Sequence, residues 1–285
     1  MTSLRIATRR SELALAQARR VAELVTAAGI GEAELVEIDT PGDLDRHSPI
    51  TQLTELGAFV RSVQQAVLDG TADLAVHSLK DLPVDPAHPS LVCSFPERRS
   101  ALDVMVGGSL ETLPLGGTVG TGSPRREEQL RMLRPDATVV PLRGNVDTRL
   151  RKVAAGDPVA ALLAEAGLER LGRTDVISQR LTVEQMVPAP GQGALAVEAV
   201  AGTRGAEVVA ALDSSDLRPL LSAERQLLAE TGAGCRSALG AVAAWESGRI
   251  RLDCFVSDER GRRRSVVVGD SPDEVVAFAR QELGL

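Results

Sequence analysis

The sequence predicts an α/β protein: two successive α/β domains with largely parallel sheets, then a smaller α+β domain built on an antiparallel sheet. Three observations carry this. Short apolar runs alternate with amphipathic stretches over the first hundred residues and again from about Asp103 to Leu163. Proline and glycine cluster at Pro188-Ala189-Pro190-Gly191-Gln192-Gly193, where a crossing between domains is expected. After Leu217, strand-like runs bunch between two helical stretches instead of alternating with them.

In order along the chain, Leu4–Thr8 is a strand and Glu12–Ala28 a helix, with Leu13, Val21, Leu24 and Val25 on one face and Gly29 as its stop. Leu35–Asp39 is a strand. Thr40–Gly57 has no period and reads as a long loop, after which Phe59–Leu68 resumes helical spacing and Gly70 ends it. Strand Leu74–His77 runs straight into Ser78-Leu79-Lys80-Asp81. The second set comprises strand Thr118–Gly120, helix Arg125–Leu133, strand Thr138–Leu142, helix Thr148–Ala155 and strand Val159–Leu163. Ala194–Val200 is strand-like. The last part reads as helix Leu217–Glu230, strands Leu239–Trp245, Ile250–Val256 and Ser265–Val268, and helix Asp273–Leu283.

Composition narrows function before any motif does. The 285 residues carry 39 acidic and 32 basic side chains, a formal charge of −7, which excludes a generally basic nucleic-acid binder. Four Phe, one Trp and no Tyr leave little for stacking on bases or sugars, so recognition must lean on charge and backbone. The cysteines Cys93, Cys235 and Cys254 are too few and scattered for a disulfide framework or zinc site, which points to a reducing compartment. The N-terminus lacks the apolar core of a secretory signal, and charges such as Glu165 and Glu246 interrupt every stretch that approaches a spanning length. The expectation is a cytoplasmic protein without membrane or nucleic-acid partners.

The acidic total conceals a basic segment. Gly116–Gly156 holds eight basic residues against four acidic ones, so it is +4 and the remainder −11. Within it, Thr121-Gly122-Ser123-Pro124-Arg125-Arg126 sits where a strand turns into a helix, with Ser123 a natural N-cap and Pro124 at the first helical position. Free N–H groups at such a helix start favour an anion, and two guanidinium forks suit a carboxylate or phosphate. The pattern recurs at Thr8-Arg9-Arg10-Ser11 and at Arg143-Gly144-Asn145-Val146-Asp147-Thr148-Arg149. Solvated arginines explain any one turn; three together favour a polyanionic ligand in a cleft between the two α/β domains. Asp81, beside Lys80, suits stabilisation of a positive intermediate or proton transfer, or simply pairs with Lys80. His77 reads as a half-buried strand residue, and His47 and His88 lie in loops without metal-ligand spacing. Cys235, in Thr231-Gly232-Ala233-Gly234-Cys235-Arg236, is either an activated thiol or a buried small hydrophobe, whereas Cys93 and Cys254 read as inert sheet residues.

Together, Ile6-Ala7-Thr8-Arg9-Arg10-Ser11, Ala75-Val76-His77-Ser78-Leu79-Lys80-Asp81-Leu82-Pro83, Leu142-Arg143-Gly144-Asn145-Val146, Pro190-Gly191-Gln192-Gly193-Ala194 and Gly234-Cys235-Arg236 resemble the hydroxymethylbilane synthase (porphobilinogen deaminase) family, in order and over nearly the whole chain. The resemblance implies an enzyme of tetrapyrrole biosynthesis that joins four porphobilinogen molecules head to tail with release of ammonia, then releases hydroxymethylbilane. It implies two periplasmic-binding-protein-like α/β domains around a cleft, spanning 1–100 with 193–216 and 101–192, plus a C-terminal α+β domain over 217–285. It implies a dipyrromethane cofactor, built from the substrate and held by a thioether to Cys235. Asp81 matches the catalytic aspartate, which steadies cationic pyrrolenine intermediates. Lys80, Ser123, Arg125, Arg126 and Arg149 match residues that hold cofactor carboxylates. Arg9, Ser11, Arg143 and again Arg149 match those associated with incoming substrate. No metal is implied, and a monomer is expected.

The chain departs from the family pattern at Pro41, where Arg is usual, and at Thr54-Glu55-Leu56-Gly57, where glycine and lysine are usual; both lie in the expected lid loop. Glu165 stands where a small apolar residue is usual beside the cleft, and Asp147 replaces a usual glycine. A carboxylate at Glu165 is expected to oppose a polycarboxylate ligand. Two other readings fit the residues: a two-lobed anion-binding protein without turnover, and a cysteine-dependent hydrolase, the latter lacking a histidine at any convincing partner position.

Overall fold

The computed structural model describes residues 3–39, 56–84, 88–231 and 238–285. Thr40–Glu55 with Pro41 and His47, and the segment holding Cys235, lie outside the described residues, as do the side chains over 56–59. The chain divides into a first unit, up to Arg98 and again over Ala194–Arg218, and a second over Arg99–Gly193 and Pro219–Leu285.

The first unit begins with β1 (Leu4–Arg9), α1 (Glu12–Ala27), β2 (Ala33–Ile38), α2 (Leu56–Leu68), β3 (Leu74–Ser78), a 3-10 turn over Leu79–Asp81, and β4 (Leu91–Ser94). The second unit follows with β5 (Asp103–Val106), β6 (Thr118–Gly120), α3 (Pro124–Leu133), β7 (Thr138–Val140), α4 (Val146–Ala154), β8 (Ala160–Ala164), α5 (Glu165–Arg170) and β9 (Ile177–Arg180). The chain then returns to the first unit through β10 (Leu195–Val200) and α6 (Arg204–Leu212). It ends with α7 (Leu217–Glu230), β11 (Ala238–Glu246), β12 (Arg249–Asp258), β13 (Gly261–Gly269) and α8 (Pro272–Leu283).

The α/β class and the small antiparallel sheet are as the sequence predicts; strand direction is not. The first sheet runs β2-β1-β3-β10-β4 and the second β7-β6-β8-β5-β9. In each, three parallel strands are followed by two antiparallel pairings, so the sheets are mixed and not largely parallel. The physical reason is that β5 and β10 enter from the other unit instead of through a crossover helix, and only the crossover enforces parallel pairing. The two sheets share this order and direction although the sequence shows no repeat.

Both faces of each sheet are covered. In the first, Leu4 and Ile6 pack with Val21 and Val25 of α1 and Val208 of α6, whereas Ala7 packs with Val63 and Val67 of α2. In the second, Met105 and Leu162 face Leu130 of α3, and Val104 and Leu163 face Leu150 of α4. Alternation along each strand thus sends successive side chains to opposite cores.

The C-terminal sheet, ordered β11-β12-β13, is fastened to its own unit beside α3. Val187 packs with Ala238 and Phe255, and the Ala241 N–H donates to Pro188 O at 2.9 Å. Ser257 Oγ and Arg262 Nε donate to Glu128 Oε2 at 3.0 and 2.9 Å, and Arg264 Nη2 donates to Gln129 Oε1 at 2.8 Å. Gly240 permits the approach: a Cβ there would lie 2.7 Å from Val187 O.

Candidate functional site

Within each unit, the predicted site residues that the structure describes lie on the turns and helix starts that follow the parallel strands. In each sheet the order places the second strand to one side of the first and the third to the other, so β1/β3 and β6/β8 are the switch points at which such sheets take ligands.

In the first unit, Arg9 ends β1 and Ser11 caps α1, its hydroxyl accepting the Ala14 N–H at 3.3 Å. Lys80 and Asp81 follow β3 on the 3-10 turn. Two buried anchors aim that turn. Leu79 and Leu82 point inward, and the Leu79 N–H donates to Ala194 O at 3.0 Å. Lys80 is left half-buried and Asp81 exposed, with no ion pair or side-chain hydrogen bond to Asp81 among the described residues. Gln17 Nε2 donates to Ser78 Oγ at 2.6 Å, which ties α1 to the end of β3 and so joins the two turns. Arg10 is engaged elsewhere, with Asp39 at 2.7 Å and Glu37 at 3.4 Å. His77 is fully inside the sheet, its Nε2 3.2 Å from Glu198 Oε2, rather than half-buried.

In the second unit, Ser123 caps α3 and Pro124 opens it, as the sequence predicts. Asn145 caps α4 by accepting the Thr148 N–H at 2.9 Å. Backbone bonds from the Thr121 N–H to Val140 O (3.0 Å) and from the Leu142 N–H to Thr121 O (3.3 Å) zip the turns after β6 and β7 together. This brings the turn that leads into Ser123, Arg125 and Arg126 beside the turn that carries Arg143. Arg143 is exposed and has no ion pair or hydrogen bond among the described residues. Arg149, half-buried, donates through Nε to Gly144 O at 2.8 Å.

The structure adds a residue that sequence reasoning missed. Asp103, the first residue of β5, is fully buried opposite Ala164, at the same sheet end as α3's start. Its Oδ2 accepts from Arg125 Nη1 at 2.6 Å, and its Oδ1 accepts from Arg126 Nε at 2.9 Å and Gln192 Nε2 at 3.0 Å. Arg125 Nη1 also reaches Val187 O, and Arg126 Nη1 reaches Leu162 O, at 2.7 and 2.9 Å. Burial alone would raise the Asp103 pKa, but the charges of Arg125 and Arg126 and their hydrogen bonds, with that of Gln192, hold it well below the ordinary carboxylate value. The arginine pair therefore presents a net single positive charge. Its signal in the sequence was an aspartate opening the otherwise apolar run Asp103-Val104-Met105-Val106.

Glu165 is nearly as buried, at the end of β8, but it is spoken for: Ser100 Oγ donates to it at 2.6 Å and Arg180 Nε pairs with it. Asp147 lies in the first turn of α4, where the helix dipole favours an acid, 3.6 Å from Arg173. Cys254 is buried and its thiol pKa is pushed up by burial; Cys93 is half-buried in β4. A cavity of about 480 Å³ lined by Leu150, Val153 and Val176 opens at the Val106–Gly107 end of β5, the opposite end from Asp103. Among the described residues no cluster of metal-ligating side chains occurs, and no helix is long and apolar enough to cross a membrane.

Residues 4–207 match the family profile described as porphobilinogen deaminase, dipyrromethane cofactor-binding domain. The chain belongs to the porphobilinogen deaminase family. It is 44% identical over 280 residues to porphobilinogen deaminase of Thermobifida fusca, covering 96% of this chain and 84% of that one. To the Mycobacterium tuberculosis (H37Ra) porphobilinogen deaminase it is 44% identical over 292 residues, covering 99% and 93%. Among solved structures, the second substrate-binding domain of Lactococcus lactis GlnP, in its open conformation, matches at 12% identity and TM-score 0.45 over 81% of this chain and 91% of that one. The family is one of transferases in tetrapyrrole biosynthesis, and the matched region is its cofactor-binding part.

The donor set fits such a cofactor. A dipyrromethane built from this substrate is a polycarboxylate, and the turns after β6 and β7 offer cationic forks and helix-start N–H groups. Arg125 turns both Nη atoms onto Asp103, and among the described residues Nε makes no hydrogen bond, so that donor remains for a ligand.

Proposed function

We propose that this chain is a transferase that condenses four porphobilinogen molecules head to tail onto a dipyrromethane primer joined to Cys235 by a thioether, and then releases hydroxymethylbilane. Each condensation breaks a C–N bond and forms a C–C bond, the displaced ring proton leaving with the amine as ammonia; release breaks the C–C bond to the primer and adds water, its hydroxyl to the freed methylene and its proton to the primer ring. When bound, the primer supplies the nucleophilic pyrrole carbon that receives the first substrate.

The observation that carries this reading is where the family motifs fall. Leu79–Asp81, Ser123–Arg126 and Arg143–Val146 all follow parallel strands at their carboxyl ends, the end at which such sheets bind ligands. Asp81 steadies the positive charge that develops on the substrate ring as its C–N bond breaks; an exposed carboxylate on a pinned turn has that charge to offer. Lys80, Ser123, Arg125, Arg126 and Arg149 hold the primer's carboxylates. Arg9, Ser11, Arg143 and Arg149 receive the acetate and propionate of incoming porphobilinogen. Pinning by Asp103 keeps the Arg125 and Arg126 forks oriented before any ligand arrives, which lowers the ordering cost of binding. The reading includes a monomer in a reducing, cytoplasmic compartment.

Intact mass tests it. The wild-type protein should exceed its sequence mass by two porphobilinogen units less two ammonia, Cys235→Ser should not, and only the former should consume porphobilinogen. A wild-type protein at sequence mass, colourless with a pyrrole-aldehyde reagent and without porphobilinogen consumption, refutes the proposal.

A further inference from the structure

Glu165 departs from the family pattern without having a part in the site so far, and its partner comes from the edge of the sheet. β8 ends at Ala164 and β9 at Arg180, on either side of β5. Ala164 is opposite Asp103 and Arg180 opposite Val104, so both strands finish at the sheet end where β5 begins. The backbone agrees: the Glu165 N–H donates to Leu102 O at 3.1 Å and the Leu181 N–H to Asp103 O at 3.0 Å. Arg180 shares the face of Val104, which packs with Leu163 and with Leu150 of α4. β9 and β8 are two strand spacings apart, about 10 Å, so the Arg180 side chain reaches across β5 for its Nε to donate to Glu165 Oε1. Glu165 is 4% exposed, and its other oxygen accepts from Ser100 Oγ at 2.6 Å. The Arg180 side chain is 57% exposed, and among the described residues neither of its Nη groups makes a hydrogen bond or ion pair.

We propose that Arg180 receives a carboxylate of incoming porphobilinogen on the β8 side of the β6/β8 switch point, and that Glu165 is the positioning residue that aims it. This rests on the reading of the site as one for carboxylate-bearing pyrroles. The cations assigned to the site in this unit, Arg125, Arg126, Arg143 and Arg149, all follow β6 or β7, on one side of the switch point. Arg180 brings a guanidinium to the other side. An unheld arginine loses rotamer freedom when it meets a ligand, whereas one fixed at Nε by a buried carboxylate has already lost much of it. With Nε committed, the two Nη groups form the edge that can meet a carboxylate through parallel bonds. Exposure sets Arg180 with Arg143, where a ligand arriving from solvent is met, and apart from buried Arg125 and Arg126. Glu165 thus orients a donor for the ligand instead of repelling it.

The test is KM and kcat for porphobilinogen in cofactor-loaded protein, with Tm measured beside them. Glutamine at 165 keeps the shape and one acceptor, which cannot serve both Ser100 and Arg180. Glu165→Gln should therefore raise KM, whereas removing a carboxylate that only repelled the ligand would lower it. Arg180→Gln should raise KM about tenfold with kcat within about twofold, as when a hydrogen bond between charged groups is lost equally from ground and transition states. It also leaves a buried carboxylate without its cation, so its Tm should fall. The double variant Glu165→Gln, Arg180→Gln separates the two effects: Tm should return toward wild type while KM stays at the level of Arg180→Gln. A KM that recovers together with Tm overturns the inference, because the pair would then serve stability alone. An unchanged or lowered KM in Glu165→Gln overturns it too. If Arg180→Gln fails to fold, the double variant decides, and a wild-type KM there overturns the inference. If wild type consumes no porphobilinogen, the functional reading fails, and Kd for porphobilinogen by equilibrium dialysis judges the pair: weaker binding by Glu165→Gln and by the double variant supports it, and affinities equal to wild type overturn it.

Discussion

Asp103→Asn isolates the electrostatic part of the arginine site, because asparagine keeps the volume of the side chain and one acceptor while removing its charge. Asp103 is 0% exposed, Arg125 3% and Arg126 6%, so the two guanidiniums would be left facing each other without water to screen them. Removing one partner from a buried ion cluster costs about 3–5 kcal/mol, chiefly as the penalty of stranding the remaining charges. For a folding unit of this size each kcal/mol lowers Tm by about 2–4 °C, so a fall of about 6–20 °C is expected by calorimetry at pH 7. Raising the salt should not restore it, since buried pairs are poorly screened. The pH dependence has a definite sign. The native pKa of Asp103 lies below its ordinary value of 3.8, so its stabilisation is complete above about pH 4 and is lost as pH falls toward the native value. Wild type and Asp103→Asn should therefore differ by a constant amount from neutral pH down to about pH 4 and converge only below it. A variant melting within about 2 °C of wild type at pH 7 would show that the carboxylate is not what holds the arginines.

Gly193→Ala should destabilise by at least the ~1–3 kcal/mol of backbone strain, because Gly193 has φ +86° and a Cβ there would sit 2.5 Å from Arg99 O; an unchanged urea midpoint contradicts this. Cys254, buried with its thiol pKa pushed up, should resist iodoacetamide in the native protein by at least about 100-fold relative to the unfolded chain, as read by peptide mapping. Arg143→Ala, at an exposed arginine with no partner among the described residues, should change stability by less than about 0.5 kcal/mol yet raise KM for porphobilinogen; a large Tm shift with unchanged KM would reverse the assignment. Asp81→Ala already loaded with cofactor should keep its Tm while ammonia release falls about 10²–10³-fold, and normal ammonia release would remove Asp81 from the chemistry.

Which parts of this were legible in the sequence follows from how local their causes are. The cap at Ser123 is set by one side chain and an N–H three residues on, so a short window suffices, whereas the equally local cap at Asn145 went unread and the helix it opens starts two residues before the predicted Thr148. Strand alternation in Leu4–Ala7 is equally local. The directions of β5 and β10 are not, because they depend on the chain passing from one unit to the other, and α5 and β9 are too short to show a period. Among the site residues, the turns that carry Arg9, Lys80, Asp81, Ser123 and Arg143 could be placed from strand-then-helix patterning. Asp103 and Gln192 could not: their hydrogen-bond partners lie between 22 and 91 residues away.

The same distinction changes the charge argument. Counting side chains over Gly116–Gly156 gives +4, but the count treats all eight cations alike. Arg131 is paired with Glu127 and Arg134 with Asp136, and Asp103, from outside the segment, takes up Arg125 and Arg126. What the count hides is a smaller, oriented set at the turns: exposed Arg143, the helix-start N–H groups, the Nε of Arg125 and the single positive charge that the Asp103-held arginine pair retains. Glu165, expected to repel a polycarboxylate, is matched by Arg180 and Ser100, so its charge is answered within its own unit. A site that relied on bulk positive charge would bind any anion, and salt would screen it. One in which a buried carboxylate fixes the arginines' orientation selects by geometry, and that suits a ligand whose carboxylates are held at set spacings on rigid pyrrole rings.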